Sequence, residues 1–193
     1  VYVNLARIEF EGKNYAQVIT LLKDLEGKAA SDPRVVEMLA VSLYEMGSHT
    51  DALPHAKKWV AKEPKNPGAL EVAAICYDRT DDRKNASIMY RRYLSLEGSQ
   101  ENSDYAFRLA ELYEEREARS LAMKQYHQNI DDFPEEVRNY ERLATLYLSV
   151  NRLTDASKLL AEATKLPSAP PRLSKRLAET YKQLGKSPMA AKA

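Results

Sequence analysis

Residues 103–136 read SDYAFRLAELYEEREARSLAMKQYHQNIDDFPEE, and residues 137–170 read VRNYERLATLYLSVNRLTDASKLLAEATKLPSAP. Laid one over the other, Leu109-Ala110 falls on Leu143-Ala144, Tyr113 on Tyr147, and Ala122 on Ala156. The same signature extends outward in both directions. The small pairs Leu5-Ala6, Leu39-Ala40, Ala73-Ala74, Leu109-Ala110, Leu143-Ala144 and Leu177-Ala178 follow one another at 34, 34, 36, 34 and 34 residues. Self-similarity at a fixed period of this length is the mark of a repeat architecture.

The recurring residues have a physical reason. Two antiparallel helices pack closely where one presents a small side chain to the other. The pair supplies that notch on a first helix, and Val18, Ala52, Ala86, Ala122, Ala156 and Ala190 supply it on a second. A tyrosine follows most pairs after three or four residues (Tyr44, Tyr77, Tyr113, Tyr147, Tyr181) and fills the wider space beside the crossing. One turn beyond each second notch stands a filler: Leu22, Ala56, Tyr90, Tyr126 and Leu160. In the second copy the filler is only Ala56, and Trp59 stands three residues on, an exchange that conserves volume.

The pattern of Leu-Ala, Tyr, a turn, Ala, a large filler and Pro resembles the tetratricopeptide repeat. Gly47 and Gly185 match its turn, and Pro64 and Pro134 its helix ends. The resemblance covers essentially the whole chain and implies an all-α fold, an α-solenoid of helix-turn-helix units wound as a right-handed superhelix. Six copies are expected at about 1–32, 33–66, 67–102, 103–136, 137–170 and a partial 171–193, in a single array. First and second helices are expected near 1–12 and 15–27, 33–46 and 50–62, 67–79 and 83–96, 103–116 and 119–132, 136–149 and 153–165, and 171–184 and 187–193. Ser31-Asp32-Pro33 and Ser187-Pro188 read as helix starts. The two extra residues fall in the polar stretch Gly98–Ser103, Glu9 replaces the usual Tyr in copy one, and Pro54 falls early in a second helix. The chain opens Val1-Tyr2-Val3-Asn4 and stops inside a repeat, so it is expected to be a piece of a longer protein.

Composition narrows the function classes. Twenty-nine basic against 28 acidic residues leave a net charge of +1, without the concentrated excess of Lys and Arg that nucleic acid or an anionic membrane surface requires. No apolar run is long enough to span a bilayer. The single Cys76 excludes an internal disulfide and reads as a buried filler. Six glycines form no phosphate loop, and His49, His55 and His127 have no metal-ligand spacing. Asp81-Asp82 and Asp131-Asp132 read as solvated turn and helix-end residues. No catalytic group, cofactor or metal is expected.

The resemblance places a partner in the concave groove, against first-helix residues at fixed offsets from the small pair. Those offsets give Met38, Val41, Tyr44, Val72 and Ile75 in the first half, with Asn4 and Arg7 ahead of them. In the second half they give Phe107, Arg108, Arg138, Arg142, Arg172 and Arg176, with Glu111, Glu141 and Lys175 among them. An apolar strip beside guanidinium groups suits an extended or helical peptide with apolar and acidic residues. The competing reading has Val72 and Ile75 packing between repeats and the arginines paired with Glu141 and Asp104. The family's carboxylate clamp is not expected, since Ile75, Glu111, Val72 and Arg108 stand where its asparagines belong. The expected function is a protein-interaction scaffold module. The alternatives are a recruiting arm of an enzyme whose catalytic domain lies elsewhere, and self-association.

Overall fold

Helix boundaries follow local chemistry. In a computed structural model of the chain, residues 2–23, 32–98 and 101–185 are described. Asp32 accepts a hydrogen bond from the Arg34 N–H at 3.0 Å, Asn66 from Ala69 at 3.1 Å, Asp82 from Asn85 at 3.1 Å and Asn102 from Tyr105 at 3.0 Å. Each satisfies one of the amide donors that the first turn of a helix leaves free. Pro33, Pro67 and Pro171 sit in first turns, where their missing N–H costs nothing.

The described residues form eleven helices and no strands. They are α1 (Tyr2–Glu11), α2 (Tyr15–Lys23), α3 (Pro33–Glu45), α4 (His49–Lys62), α5 (Pro67–Arg79) and α6 (Arg83–Leu94). After the polar loop come α7 (Ser103–Glu115), α8 (Arg119–Asp132), α9 (Val137–Ser149), α10 (Leu153–Ala163) and α11 (Pro171–Gln183). The expected start at Ser187-Pro188 and the second helix of copy six lie outside the described residues, as do Ser31 and Ala190. Pro54 falls inside α4, which begins at His49 and continues unbroken to Lys62. Pro54 is exposed, so the carbonyl of Thr50 that it cannot bond faces the solvent side of the helix.

Two compact units result, Val1–Gln100 and Glu101–Ala193, and their boundary falls in the two-residue insertion. In the first unit α1 pairs with α2, α3 with α4 and α5 with α6, while α2 packs on α3 and α4 on α5. In the second, α7 pairs with α8 and α9 with α10, while α8 packs on α9 and α10 on α11. Each unit is therefore a stack of helical hairpins, the arrangement of an α-solenoid.

The notches are where the spacing puts them. Ala6, Val18, Ala40, Ala52, Ala73, Ala86, Ala110, Ala122, Ala144 and Ala156 are all fully buried. The fillers Leu22, Tyr90, Tyr126 and Leu160 are buried beside them, each large apolar group contributing about 1.5–3 kcal/mol. The Ala56 and Trp59 exchange holds as well: both belong to one core with Leu70, Val72 and Cys76. Trp59 packs so closely that a Cβ added at Gly68 would lie 3.1 Å from its Cη2.

One device at the hairpin turns escapes the sequence pattern. Lys13, Gly47, Asp81, Glu117, Asn151 and Gly185 all have φ between 57° and 75°. They are the same repeat position, and each ends a first helix with a left-handed residue. The next residue bonds back five places: Asn14 to Glu9, Ser48 to Leu43, Asp82 to Tyr77, Ala118 to Tyr113 and Arg152 to Tyr147, all at 2.8–2.9 Å. Those bonds fix the register. Leu43, not Tyr44, is therefore the counterpart of the later tyrosines, and Tyr44 stands one place on with its ring 5.8 Å from that of His49.

Candidate functional site

First-helix residues fall into two different environments. In the first unit Met38 and Val72 are 4% and 5% exposed and belong to the apolar core, so neither presents a wall to a ligand. Val41 and Tyr44 are half-buried against the same core, and Ile75 is half-buried. Inter-repeat packing, the competing sequence reading for Val72 and Ile75, accounts for Val72, and Met38 is core as well.

The repeat counterparts of Met38 and Val72 are Arg108, Arg142 and Arg176 in the second unit. Exchanging an apolar side chain for a guanidinium at this place converts a packing site into a polar one. Arg108 bonds along its own helix to Glu111 at 3.1 Å and Glu115 at 2.8 Å. Arg142 reaches from α9 to Glu114 on α7, with Nε 3.1 Å from Oε1. The Tyr126 hydroxyl donates to the same carboxylate oxygen at 2.6 Å. Burial, with that bond, pushes the Tyr126 phenol far above its ordinary range, while Tyr126 and then the charge of Glu114 raise the Arg142 guanidinium. The three side chains form a closed cluster.

A second row lies one turn nearer the helix starts. Arg138 bonds to Asp104 on α7 at 2.7 Å, and its guanidinium lies 4.6 Å from the centre of the Phe107 ring. Such a cation–aromatic contact contributes about 0.5–2 kcal/mol. Its repeat counterpart is Arg172, which grips Glu141 with both prongs at 2.7 and 3.0 Å. Glu141 is the counterpart of Phe107, so the same reach finds a ring in one repeat and a carboxylate in the next. Hydrogen bonding to Glu141 raises the Arg172 guanidinium.

Arg176 stands apart. It is half-buried on α11 and has no ion-pair partner among the described residues. With Glu141, Arg142, Thr145, Arg172 and Leu173 it lines a cleft of about 290 Å³ between α9 and α11. Arg142 is paired with Glu114 and Arg172 with Glu141, so Arg176 is the cation of this cleft that makes no ion pair among the described residues. Arrangements of this kind bind anions, since a guanidinium fork matches a carboxylate.

Other chemistry-bearing residues have structural settings. Cys76 is buried on α5, and desolvation pushes its thiol up to about 11. His49 lies against Tyr44 at the start of α4 with the two rings tilted by 50°, and His127 bonds to the Tyr147 hydroxyl, over whose ring Arg152 lies at 4.4 Å. Among the described residues no group of His, Cys, Asp and Glu is placed to hold a metal ion. Among them, too, no helix is long and apolar enough to cross a membrane.

Solved structures share this arrangement of hairpins. The fold resembles that of MamA. One structure of MamA protein superposes with a TM-score of 0.66 at 16% identity, covering 96% of this chain and 92% of that one. Another, MamA AMB-1, gives 0.70 at 18% identity over 90% and 94% of the two chains. MamA residues 41 to the end from Desulfovibrio magneticus RS-1 gives 0.61 at 17% identity over 84% and 90%. At such identity the likeness speaks for the helical-repeat fold alone. No family model and no curated protein matches the chain.

Proposed function

We propose that this chain is a protein-interaction module of the tetratricopeptide type, a binding scaffold and not an enzyme, which holds a partner segment carrying acidic and apolar residues. The first-helix face of α7, α9 and α11 is the surface proposed to receive it. The carrying observation is the row of Arg108, Arg142 and Arg176 where the second and third copies have the buried Met38 and Val72 and the first has Asn4. Such an exchange adds nothing to the core, since four of the second-unit arginines bond at the surface to acids in part exposed to water. Surface pairs of this sort contribute about 0–1 kcal/mol each, so stability does not account for the row. Phe107 and the aliphatic stems of the arginines supply apolar contact between the charges.

The test is direct. A fluorescein-labelled ten-residue peptide alternating Glu and Leu is titrated against the chain by anisotropy, beside a Gln–Leu peptide of the same length. The acidic peptide is expected to bind, more weakly at high salt because exposed charges are screened. The double variant Arg108→Glu with Arg142→Glu should lose affinity by about tenfold or more, the equivalent of about 1.4 kcal/mol. Helicity by circular dichroism shows that the variant is folded. Equal binding of the Gln–Leu peptide, or unchanged affinity in a folded double variant, refutes the proposal.

A further inference from the structure

Comparing consecutive repeats shows how the arginine row is neutralised. Arg142 takes its acid from Glu114, 28 residues earlier, on the preceding first helix. Arg176 occupies the same place one repeat on, 34 residues after Arg142. The residue 28 before it is Leu148, half-buried on α9. The tyrosine that braces Glu114 is replaced in step: the counterpart of Tyr126 is Leu160, fully buried. The cluster Tyr126, Glu114 and Arg142 thus recurs as Leu160, Leu148 and Arg176, with its anionic member removed and its cation kept.

A guanidinium left half-buried without a counter-charge carries a desolvation cost that the neighbouring repeat avoids. Among the described residues no acid is ion-paired with it, Glu179 three residues on along α11 included. Glu141 is held by both prongs of Arg172, and residues 186–193 contain no Asp or Glu. Beside Arg176 lies the cleft, with two further guanidinium groups on its rim.

We infer that Arg176 is the anchor for the partner, and that a side-chain carboxylate of the bound segment takes the place of the acid missing at position 148. The inference rests on the peptide-binding reading above and narrows it to one contact. The ligand carboxylate sits where Glu114 sits one repeat earlier, with an apolar ligand residue beside Leu148. Arg142 is already neutralised by its own acid, and Arg172 likewise, so both flank the site and Arg176 binds.

Four variants test this with the labelled Glu–Leu peptide. Arg176→Gln is expected to weaken binding by about tenfold, the usual worth of one partly desolvated charge-assisted contact. Leu148→Glu supplies the acid in the chain itself and should weaken binding to about the same extent, while Leu148→Gln, of nearly equal size and uncharged, should leave it within about twofold. Lys158→Gln, at an exposed position of α10, serves as the charge-matched control and should also stay within about twofold. Inorganic phosphate at matched ionic strength should displace the peptide no better than chloride does. If the wild-type chain binds the acidic peptide but Arg176→Gln or Leu148→Glu binds it equally well, the anchor is wrong while the parent proposal stands. Equal loss in Leu148→Gln and Leu148→Glu would show a packing effect and overturn the assignment, as would stronger displacement by phosphate. A wild-type chain indifferent to the peptide's charge removes the parent reading and this one together.

Discussion

Gly47 and Glu117 occupy one repeat position and make the same bonds, so they form a matched pair for measuring what a side chain costs at the hairpin turn. Gly47 has φ 75° and Glu117 φ 57°. Behind them Ser48 bonds to Leu43 and Ala118 to Tyr113, each at 2.9 Å. An L-residue in the left-handed region is disfavoured by about 1–2 kcal/mol. Against this, a non-glycine residue loses less backbone freedom on folding, a gain of about 0.4–1 kcal/mol. A Cβ built on Gly47 meets no atom within 4 Å, so no steric contact enters the sum. Gly47→Ala should therefore destabilise by about 0.5–1 kcal/mol, and Glu117→Gly should stabilise by about the same amount. In a unit of this size that corresponds to a shift of about 2–8 °C in Tm, downward for the first variant and upward for the second. Differential scanning calorimetry reads both, and if the two units melt apart, each variant should move only the transition of its own unit. A Glu117→Gly chain that melts below wild type would show that the side chain contributes more than its backbone strain costs, and the reasoning would fail.

The other stability predictions concern the core. Ala122 is fully buried in the notch between α7 and α8, so Ala122→Leu should cost about 1–3 kcal/mol or more by overpacking, read as a lower urea midpoint. Leu in place of the exposed Lys124 on the same helix should leave the midpoint close to wild type. Cys76 should resist a thiol reagent such as dithionitrobenzoate at pH 8 in the folded chain and react rapidly once denatured; prompt labelling of the native protein would contradict its buried setting. The raised thiol also sets a sign. Between the unfolded value near 9 and the folded value of about 11, the unfolded chain releases a proton that the folded chain retains. Stability should therefore fall as pH rises through that window, and Cys76→Ser should lessen the fall.

The fold was legible because its constraint is local volume. A buried alanine at each crossing cannot be replaced by chance at a constant period, and Ala40, Ala52, Ala110, Ala122, Ala144 and Ala156 are each fully buried. Trp59 against Ala56 was legible for the same reason. The hairpin turn was less so. Glycine signalled it at Gly47 and Gly185, but Lys13, Asp81, Glu117 and Asn151 adopt the same backbone without that signal. There the register of the five-residue-back hydrogen bonds decides the conformation and overrides side-chain preference. That override also explains Tyr44, which composition places with the other tyrosines and the bond from Ser48 to Leu43 places one residue away.

The candidate site was legible in residue type and not in state. Fixed offsets found Arg108, Arg138, Arg142, Arg172 and Arg176, and they found Met38 and Val72 as well, which are core. An offset says where a side chain starts; what it does depends on residues about a repeat away. Arg138 and Arg172 differ because one meets Phe107 and the other Glu141, and Arg142 and Arg176 differ because one meets Glu114 and the other Leu148. That difference can be read by subtracting one repeat from the next, once the register is fixed. At most positions the subtraction exchanges like for like, and where it deletes an acid and its tyrosine while keeping the arginine, folding gains nothing from the charge that remains. A neutral side chain at 176 would carry no such desolvation cost, as the buried Met38 and Val72 carry none. On the anchor proposed above, an anion from outside the chain supplies the counter-charge that Arg142 finds in Glu114.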